Sequence, residues 1–347
     1  MNSIQIQKAV FILLFVSMLT LTACTGANTA DSGEHTQEGD HEAEVLPTVE
    51  PVRLDKGRRM KALATTTIIG DVVSNIGEEV IDLTILMNTG QDPHSYEITP
   101  KAVVAIQDAD LIFINGLDLE ETLLDSIESN AAGVIVPVSA GIETLAVDED
   151  DENEDHEGAE DHKHTGTDPH LWTDPNNVIT WVDNIAQVLG DADPANREAY
   201  TANAAAYRTE LEALDAYIRG QVAHIPEENR KLVTDHGLFN YFAGEYGFEV
   251  IGTVIPSFSS LAEPSASDIV ALVEVIQQED VPAIFIGTTA SPGLQNLADT
   301  IAEETGKEIK VLPLLTGSLA AAGEPGDTYL DYMRFNIDQI VLGLGKR

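Results

Sequence analysis

The chain has 347 residues, enough for about two domains, and a formal net charge of −41 from 59 acidic and 18 basic side chains. This charge repels nucleic-acid phosphates and anionic lipids, which argues against a nucleic-acid partner. The single Cys excludes a disulfide framework within the chain and any multi-cysteine metal cluster. The candidate metal ligands are therefore carboxylates and the imidazoles of the nine His residues.

The N-terminus predicts an exported lipoprotein. Lys8 precedes an apolar run, AVFILLFVSMLTLTA, over residues 9–23, which is short for a membrane span and typical of a signal peptide. The run ends in LTAC and resembles a bacterial lipobox; a small buried cysteine in a core helix is the alternative interpretation. We therefore expect a signal peptide over residues 1–23, a lipid on Cys24, and a mature protein anchored on the extracytoplasmic face of a cell membrane.

Two polar stretches predict segments without regular structure. Residues 24–61 carry few apolar side chains, so burial cannot offset the entropy of ordering and we expect a disordered tether. Residues 148–161 read DEDDENEDHEGAED and contain ten acidic residues and no basic one. Such dense like charges stay solvated, so the sequence predicts a mobile acidic surface loop over residues 148–166.

Apolar runs that alternate with helical patterns predict strands of parallel sheets with crossover helices. The expected fold is α/β, with an N-terminal lobe over residues 62–192 and a C-terminal lobe over residues 225–347, each a parallel sheet flanked by helices. The predicted strands are ALATT from Ala62, DLTIL from Asp82, LIFIN from Leu111, VIVPV from Val134, KLVTD from Lys231, EVIGTV from Glu249, AIFIG from Ala283 and IKVLP from Ile309.

A long helix is predicted between the lobes, over residues 193–224. Asp193 and Pro194 are suited to the N-cap and the first helical position, and no glycine follows before Gly220. At roughly 30 residues the helix would be about 40 Å long and would act as a stiff strut. The last stretch, from Asp327, predicts an amphipathic helix whose apolar face carries Leu330, Met333, Ile337, Ile340, Val341 and Leu344.

Three His residues stand where a ligand site is expected. His94, in QDPHSYE, and His236, in TDHG, each follow a predicted strand, and open α/β sheets bind ligands at the carboxyl ends of strands. His170 lies in a second Asp-Pro-His sequence, TDPHLW; the proline before His94 and His170 restricts the backbone. Each His alone would be interpreted as a surface or hydrogen-bonded core residue, but together they predict a metal site.

Three imidazoles favour Zn²⁺, because Mg²⁺ and Ca²⁺ prefer oxygen ligands. Each His has an acidic neighbour, namely Asp92, Asp168 or Asp235. We expect these carboxylates to cap turns and helices or to accept hydrogen bonds from imidazole N–H groups, rather than to bind the metal themselves.

Seven segments, in order, resemble the metal-binding lipoproteins of bacterial ABC importers for zinc and manganese, the cluster A-I solute-binding proteins. The resemblance runs from about Ala62 to the C-terminus. It implies a lobe-helix-lobe fold with a metal ion in the cleft, a membrane permease as partner and no catalysis. It also places His94, His170 and His236 on the first three ligand positions, and we expect a monomer. The segments are ATTTIIGDVVSNIG, GQDPHSYEITP, ADLIFINGLDLE, DPHLWTDPNN, TDHGLFNYFAGEYGF, EPSASDIVALVEVI and GDTYLDYMRFN.

The chain departs from the family at the fourth ligand position. Many relatives carry Asp in a Thr-Asp-Ser-Leu-like segment, whereas this chain reads LTGSL and has Gly317 at that position. Manganese-type members usually offer two His and two carboxylates, an oxygen-rich set that suits Mn²⁺. The three-His set therefore favours Zn²⁺ as the transported ion, with Mn²⁺ as the alternative, and leaves the fourth ligand to water or to a mobile carboxylate or His.

The acidic loop adds His156, His162 and His164 just before His170. Accessory metal capture is one interpretation, since zinc-type relatives often carry such a loop, and a solvated charge run is the other. A zinc hydrolase is a rival function because three His with an open position also describe catalytic zinc, but the chain lacks His-Glu-x-x-His and Gly-x-Ser-x-Gly motifs. We expect no enzyme; an adhesin is the remaining alternative.

Overall fold

Strands and helices alternate along the chain, as the sequence predicts. The computed structural model describes residues 44–55, 57–145 and 167–345. In the N-terminal half the elements are β1 (Met60–Ala64), α1 (Thr67–Gly77), β2 (Ile81–Ile85), α2 (Pro100–Asp108), β3 (Leu111–Ile114), α3 (Glu121–Asn130) and β4 (Val134–Pro137). The strands form one parallel sheet in the order β2-β1-β3-β4.

The C-terminal half repeats the alternation after two long helices. Its elements are α4 (Pro175–Ala192), α5 (Arg197–Val222), β5 (Lys231–Thr234), α6 (Asn240–Tyr246), β6 (Glu249–Thr253), α7 (Ala266–Glu279), β7 (Ala283–Gly287), α8 (Pro292–Glu304), β8 (Lys310–Leu314) and α9 (Tyr329–Leu344). Strands β5 and β6 form one parallel pair, β7 and β8 form another, and β5 packs beside β7. The predicted strands and the α/β fold with parallel sheets flanked by helices are confirmed, although the strands of the C-terminal half form two pairs rather than the one continuous sheet that the sequence predicts.

Helix α5 joins the two halves and has 26 residues, which makes it about 39 Å long. It packs against α1, α4 and α9. The predicted N-cap at Asp193 is wrong, because Asp193 ends α4 and α5 begins at Arg197. The Asp193 carboxylate accepts hydrogen bonds from Asn196 Nδ2 (2.7 Å) and Tyr200 Oη (3.1 Å). It therefore holds the turn between the helices instead of starting one.

Residues 44–55, which we call the N-terminal strap, pack on the fold. Val49 is buried, Leu46 and Val52 contact the same core, and Val52 N donates to Ala192 O (2.8 Å). The tether predicted over residues 24–61 therefore extends too far along the chain. The reason is that apolar side chains at 46, 49 and 52 offer burial that the polar composition of the stretch hides. Strand β1 also takes up the last two residues of the predicted tether, whereas the signal peptide, Cys24 and residues 25–43 lie outside the described residues.

Helix α9 buries the face that its sequence pattern predicts, with Leu330 and Val341 partly buried at its edges. It also buries Asn336, whose side chain bonds both the N–H and the C=O of Leu315 at 2.8 Å. This contact fixes the segment that follows β8, which borders the candidate site described below. Within the described ranges, no helix combines the length and the apolar character needed to cross a membrane.

Candidate metal centre

The fold brings the three predicted His residues together. His94 lies in the loop between β2 and α2, His170 precedes α4, and His236 follows β5. One ring nitrogen of each lies within 4.8 Å of the others, and His94 Nε2 is 3.2 Å from His170 Nε2. All three side chains are buried, with 1% to 5% of their surface exposed. The arrangement therefore offers three imidazoles that converge on one point away from bulk water.

Two of these imidazoles are oriented by buried carboxylates. His170 Nδ1 lies 2.8 Å from Asp168 Oδ1, and His236 Nδ1 lies 3.1 Å from Asp235 Oδ1. Because a carboxylate accepts hydrogen bonds, these contacts assign the proton to Nδ1 and leave the lone pair on Nε2 of each ring. The expectation that Asp168 and Asp235 accept hydrogen bonds from imidazole N–H groups is confirmed, and Nε2 of each ring is left as the atom that could bind an ion.

The orienting carboxylates are themselves held in place. Asp168 Oδ2 accepts a hydrogen bond from Asn240 Nδ2 (3.0 Å), and Asp235 Oδ2 accepts one from the backbone N–H of Gly287 (3.0 Å). Asp92 differs from both: its Oδ1 accepts from the backbone N–H of His94 (3.1 Å) and caps the turn, rather than holding the ring. Each imidazole of His170 and His236 is thus held by a carboxylate, and each carboxylate is held by a second hydrogen-bond donor.

The electrostatic environment favours neutral imidazoles at two of the three positions. Burial lowers the pKa of His94 well below its usual range, and the neighbouring His170 and His236 lower it further. Burial also lowers the pKa of His170, with Asp168 opposing the shift. Burial alone would lower the pKa of His236 too, but attraction by Asp235 outweighs it and leaves that pKa raised. Neutral imidazoles are the form that binds a metal ion.

Gly317, where the resemblance leads us to expect a fourth ligand, lies against the turn that carries His94. A Cβ built on Gly317 would approach Pro93 Cδ to 2.5 Å, so a side chain fits here only if the turn or the glycine segment moves. The next residue, Ser318, accepts a hydrogen bond from Gly90 N–H at 2.8 Å. Among the residues that the structure describes, the group of potential metal ligands consists of the three imidazoles alone.

Trp172 is a site neighbour that the sequence analysis does not identify. Its indole ring meets the His170 ring edge-on at a centroid distance of 5.3 Å. Its Nε1 donates to Thr316 O (3.3 Å) and to Tyr332 Oη (3.1 Å). Trp172 therefore connects His170 to the segment that contains Gly317. The only sequence signal is its place two residues after His170.

A buried carboxyl group, Glu120, lies behind the His170 turn. Its Oε1 accepts hydrogen bonds from Asn115 N–H (2.7 Å) and Thr65 Oγ1 (2.6 Å). The Asn115 side chain in turn donates to Pro169 O at 3.0 Å. Burial raises the pKa of Glu120 from 4.5 to about 7, although the hydrogen bonds that it accepts oppose the shift. The group is therefore partly protonated at neutral pH.

Replacing Glu120 with Gln is expected to stabilise the protein at pH 8. Because the folded pKa of Glu120 lies above its unfolded value, this group favours folding below about pH 4.5, and that contribution is lost as the pH rises to about 7. A shift of this size corresponds to about 3 kcal/mol. The neutral amide avoids the loss, so thermal unfolding should show a Tm several degrees above the wild type at pH 8 and an equal Tm at pH 4.5. Glu128→Gln, at an exposed position of α3, is the control; an equal difference at both pH values would contradict the prediction.

The remaining predicted site residues, Cys24, His156, His162 and His164, lie outside the described residues.

The chain matches known metal-transport proteins over most of its length. A family model described as zinc-uptake complex component A, periplasmic (ZnuA), matches residues 63–343. The manganese-binding lipoprotein MntA of Halalkalibacterium halodurans is 33% identical over 292 residues, covering 84% of this chain and 91% of that protein. The manganese ABC transporter substrate-binding lipoprotein PsaA of Streptococcus pneumoniae is 32% identical over 297 residues, covering 84% and 91%.

Solved structures agree with these sequence matches. The periplasmic zinc-binding protein TroA from Treponema pallidum superposes with a TM-score of 0.72 at 31% identity, covering 83% of this chain and 100% of that one. A manganese-bound periplasmic metal-binding protein from Candidatus Liberibacter asiaticus gives a TM-score of 0.70 at 29% identity, covering 82% and 100%.

Proposed function

Because the chain belongs to the ZnuA family of metal-binding components of ABC importers, which are not enzymes, we propose that it binds Zn²⁺ through His94, His170 and His236. The convergence of three buried imidazoles carries this proposal. The carboxylates of Asp168 and Asp235 support it, because they hold the Nε2 atoms of two rings toward a common point.

The donor set supports zinc over manganese. The relatives MntA and PsaA are named for manganese and TroA for zinc, so similarity alone leaves both ions open. Three nitrogen donors suit the borderline-soft Zn²⁺ ion, whereas Mn²⁺ binds better where carboxylate oxygens complete the set. With Gly317 at the fourth position, water or a carboxylate or His from elsewhere in the chain would complete the coordination. Mn²⁺ is the alternative ion.

We further propose that the protein delivers the ion to a membrane permease. It would do so as a monomer, anchored through a lipid on Cys24 at the extracytoplasmic face of the cell membrane. Its relatives are named as substrate-binding lipoproteins of ABC transporters, which supports the permease partner and the anchor. In this proposal residues 62–192 and 225–347 are the two lobes, and α5 is the rigid connection between them.

Metal analysis of the metal-free protein tests the proposal directly. The protein is exposed to equal concentrations of Zn²⁺ and Mn²⁺ and separated from free ions. Its metal content is then measured by inductively coupled plasma mass spectrometry. One tightly held Zn²⁺ per chain is the expected result. Retention of Mn²⁺ under these conditions would overturn the choice of zinc, and retention of neither ion would overturn the proposed function.

Removing the acidic loop is expected to leave the tight site intact. Asp168 N–H donates to Leu145 O at 3.1 Å, so the two ends of the loop lie side by side and a short Gly-Ser linker can replace residues 147–165. Asp and His in a solvated segment bind cations loosely but raise their local concentration. Zinc affinity should therefore change less than about twofold, while stopped-flow measurements should show slower zinc capture. Loss of the tight site would instead make a loop residue the fourth ligand.

A further inference from the structure

Glu44, the first residue of the N-terminal strap, contacts a loop over residues 116–118 that has an unusual backbone conformation. Three successive residues have positive φ angles: Gly116 (83°), Leu117 (53°) and Asp118 (58°). Such angles suit glycine but strain Leu117, because a Cβ then crowds the adjacent carbonyl oxygen. The Glu44 carboxylate accepts a hydrogen bond from Leu117 N–H at 3.2 Å, so it stabilises the strained loop.

Glu44 also bonds a second segment, the one that follows β4. The hydroxyl group of Ser139 donates to the Glu44 carboxylate, and the backbone N–H of Gly141 donates to Glu44 O at 3.1 Å. One strap residue thus joins the loop over residues 116–118 to residues 139–141. A Cβ on Gly116 would collide with both Glu44 and Ser139, which shows how closely the three groups approach.

Both segments that Glu44 joins lead to the His170 turn. From the first, Asn115 Nδ2 donates to Gly116 O (2.9 Å) and to Pro169 O (3.0 Å). From the second, the chain runs on to Leu145, whose carbonyl accepts from Asp168 N–H at 3.1 Å. Asp168 and Pro169 are the two residues before His170, and Asp168 also holds its ring. The turn is therefore braced on two sides by segments that meet at Glu44.

We propose that Glu44 is a positioning residue for His170, so that the N-terminal strap is part of the metal-binding unit rather than of a tether. This inference rests on the proposed function, because it assumes that His170 binds the ion. Loss of the Glu44 carboxylate leaves the Leu117 backbone strained and without this acceptor. The loop then relaxes, and with it the Asn115 contact that holds the His170 turn.

The test measures the zinc affinity of the full mature chain and of single variants by competition with a chromophoric chelator. Glu44→Ala should weaken binding about tenfold, in the range seen when groups that orient a ligand are lost. Glu50→Ala, at an exposed position on the same strap, should not change it. Adding Leu117→Gly to Glu44→Ala should restore most of the affinity, because glycine adopts the required φ without the carboxylate.

A double-mutant comparison separates positioning from general destabilisation. Glu44→Ala should weaken the residual binding of a His236→Ala protein about tenfold, but should have no further effect in a His170→Ala protein. If Glu44→Ala does not fold, then Glu44→Gln, which keeps one acceptor oxygen, should show a smaller loss with the same dependence on His170.

Two results would overturn the positioning role: wild-type affinity in the Glu44 variants, or equal effects in the two His backgrounds. A wild-type chain that binds neither zinc nor manganese would overturn the proposed function itself. The two failures are therefore distinguishable.

Discussion

Replacing His170 with Ala should weaken Zn²⁺ binding roughly a thousandfold or more, which corresponds to about 4 kcal/mol. Two imidazoles and water form a poor zinc site, since tight zinc sites in proteins have at least three protein ligands. The substitution also removes the ring N–H that Asp168 accepts at 2.8 Å. Asp168 keeps the hydrogen bonds from the backbone N–H of residue 170 and from Asn240 Nδ2, so the expected loss comes from the missing imidazole itself.

Isothermal calorimetry or chelator competition measures this loss. His224→Ala is the matched control. His224 is exposed near the end of α5, so this substitution removes the same side chain from a position outside the site. His94→Ala and His236→Ala should behave like His170→Ala. Unchanged zinc affinity in the His170 variant would contradict the three-imidazole site, whereas an equal loss in the His224 variant would point to a nonspecific effect.

The strands and the candidate site residues His94, His170 and His236 could be predicted because their signals lie in short stretches of sequence. Each strand is a short apolar run bounded by polar residues, and burial on both faces of a parallel sheet produces that pattern. His236 follows β5 closely, and His94 lies in the loop that follows β2. Both lie beyond the carboxyl end of a strand, where α/β sheets bind ligands, but β2 and β5 belong to different sheets, so the approach of the two imidazoles depends on how those sheets pack.

The features that the sequence could not predict depend on contacts between distant segments. Asp193 is a residue type that favours the N-cap position, but its carboxylate accepts hydrogen bonds from the side chains of Asn196 and Tyr200 across the turn. The strap has a polar composition, yet Val49 finds a place in the core. The link from Trp172 to Thr316 spans 144 residues, and no local pattern marks such a pair.

The absence of a carboxylate at Gly317 also acquires a structural reason only from a distant contact. The family resemblance implies that an Asp is missing there, but not what takes its space. In the structure Pro93 lies where the Cβ would be, so the His94 turn and the glycine segment are packed together. Glycine in place of Asp at position 317 therefore changes two properties at once. It removes a negative charge from the site, and it lets the turn that carries His94 pack closely against residue 317.

Gly317→Ala and Gly317→Asp should separate these two properties. The Ala variant adds only the Cβ, which must displace Pro93 and with it His94. Overpacking of this kind destabilises the fold by roughly 1–3 kcal/mol, and the displacement of His94 should weaken zinc binding about tenfold. The Asp variant adds the same Cβ and a hard oxygen donor beside three imidazoles. A carboxylate favours Mn²⁺ more than a nitrogen set does, so the ratio of Mn²⁺ affinity to Zn²⁺ affinity should be higher in the Asp variant than in the Ala variant.

The Ala variant, rather than the wild type, is the correct reference for this ratio, because both variants carry the same steric change at Pro93. Absolute affinity for Zn²⁺ should stay above that for Mn²⁺ throughout, as the Irving–Williams order requires. Competition titrations with both ions give the two ratios. Equal ratios in the Ala and Asp variants would mean that a side chain at position 317 does not reach the ion, and that the preference for zinc must arise from the three imidazoles and their bonded carboxylates alone.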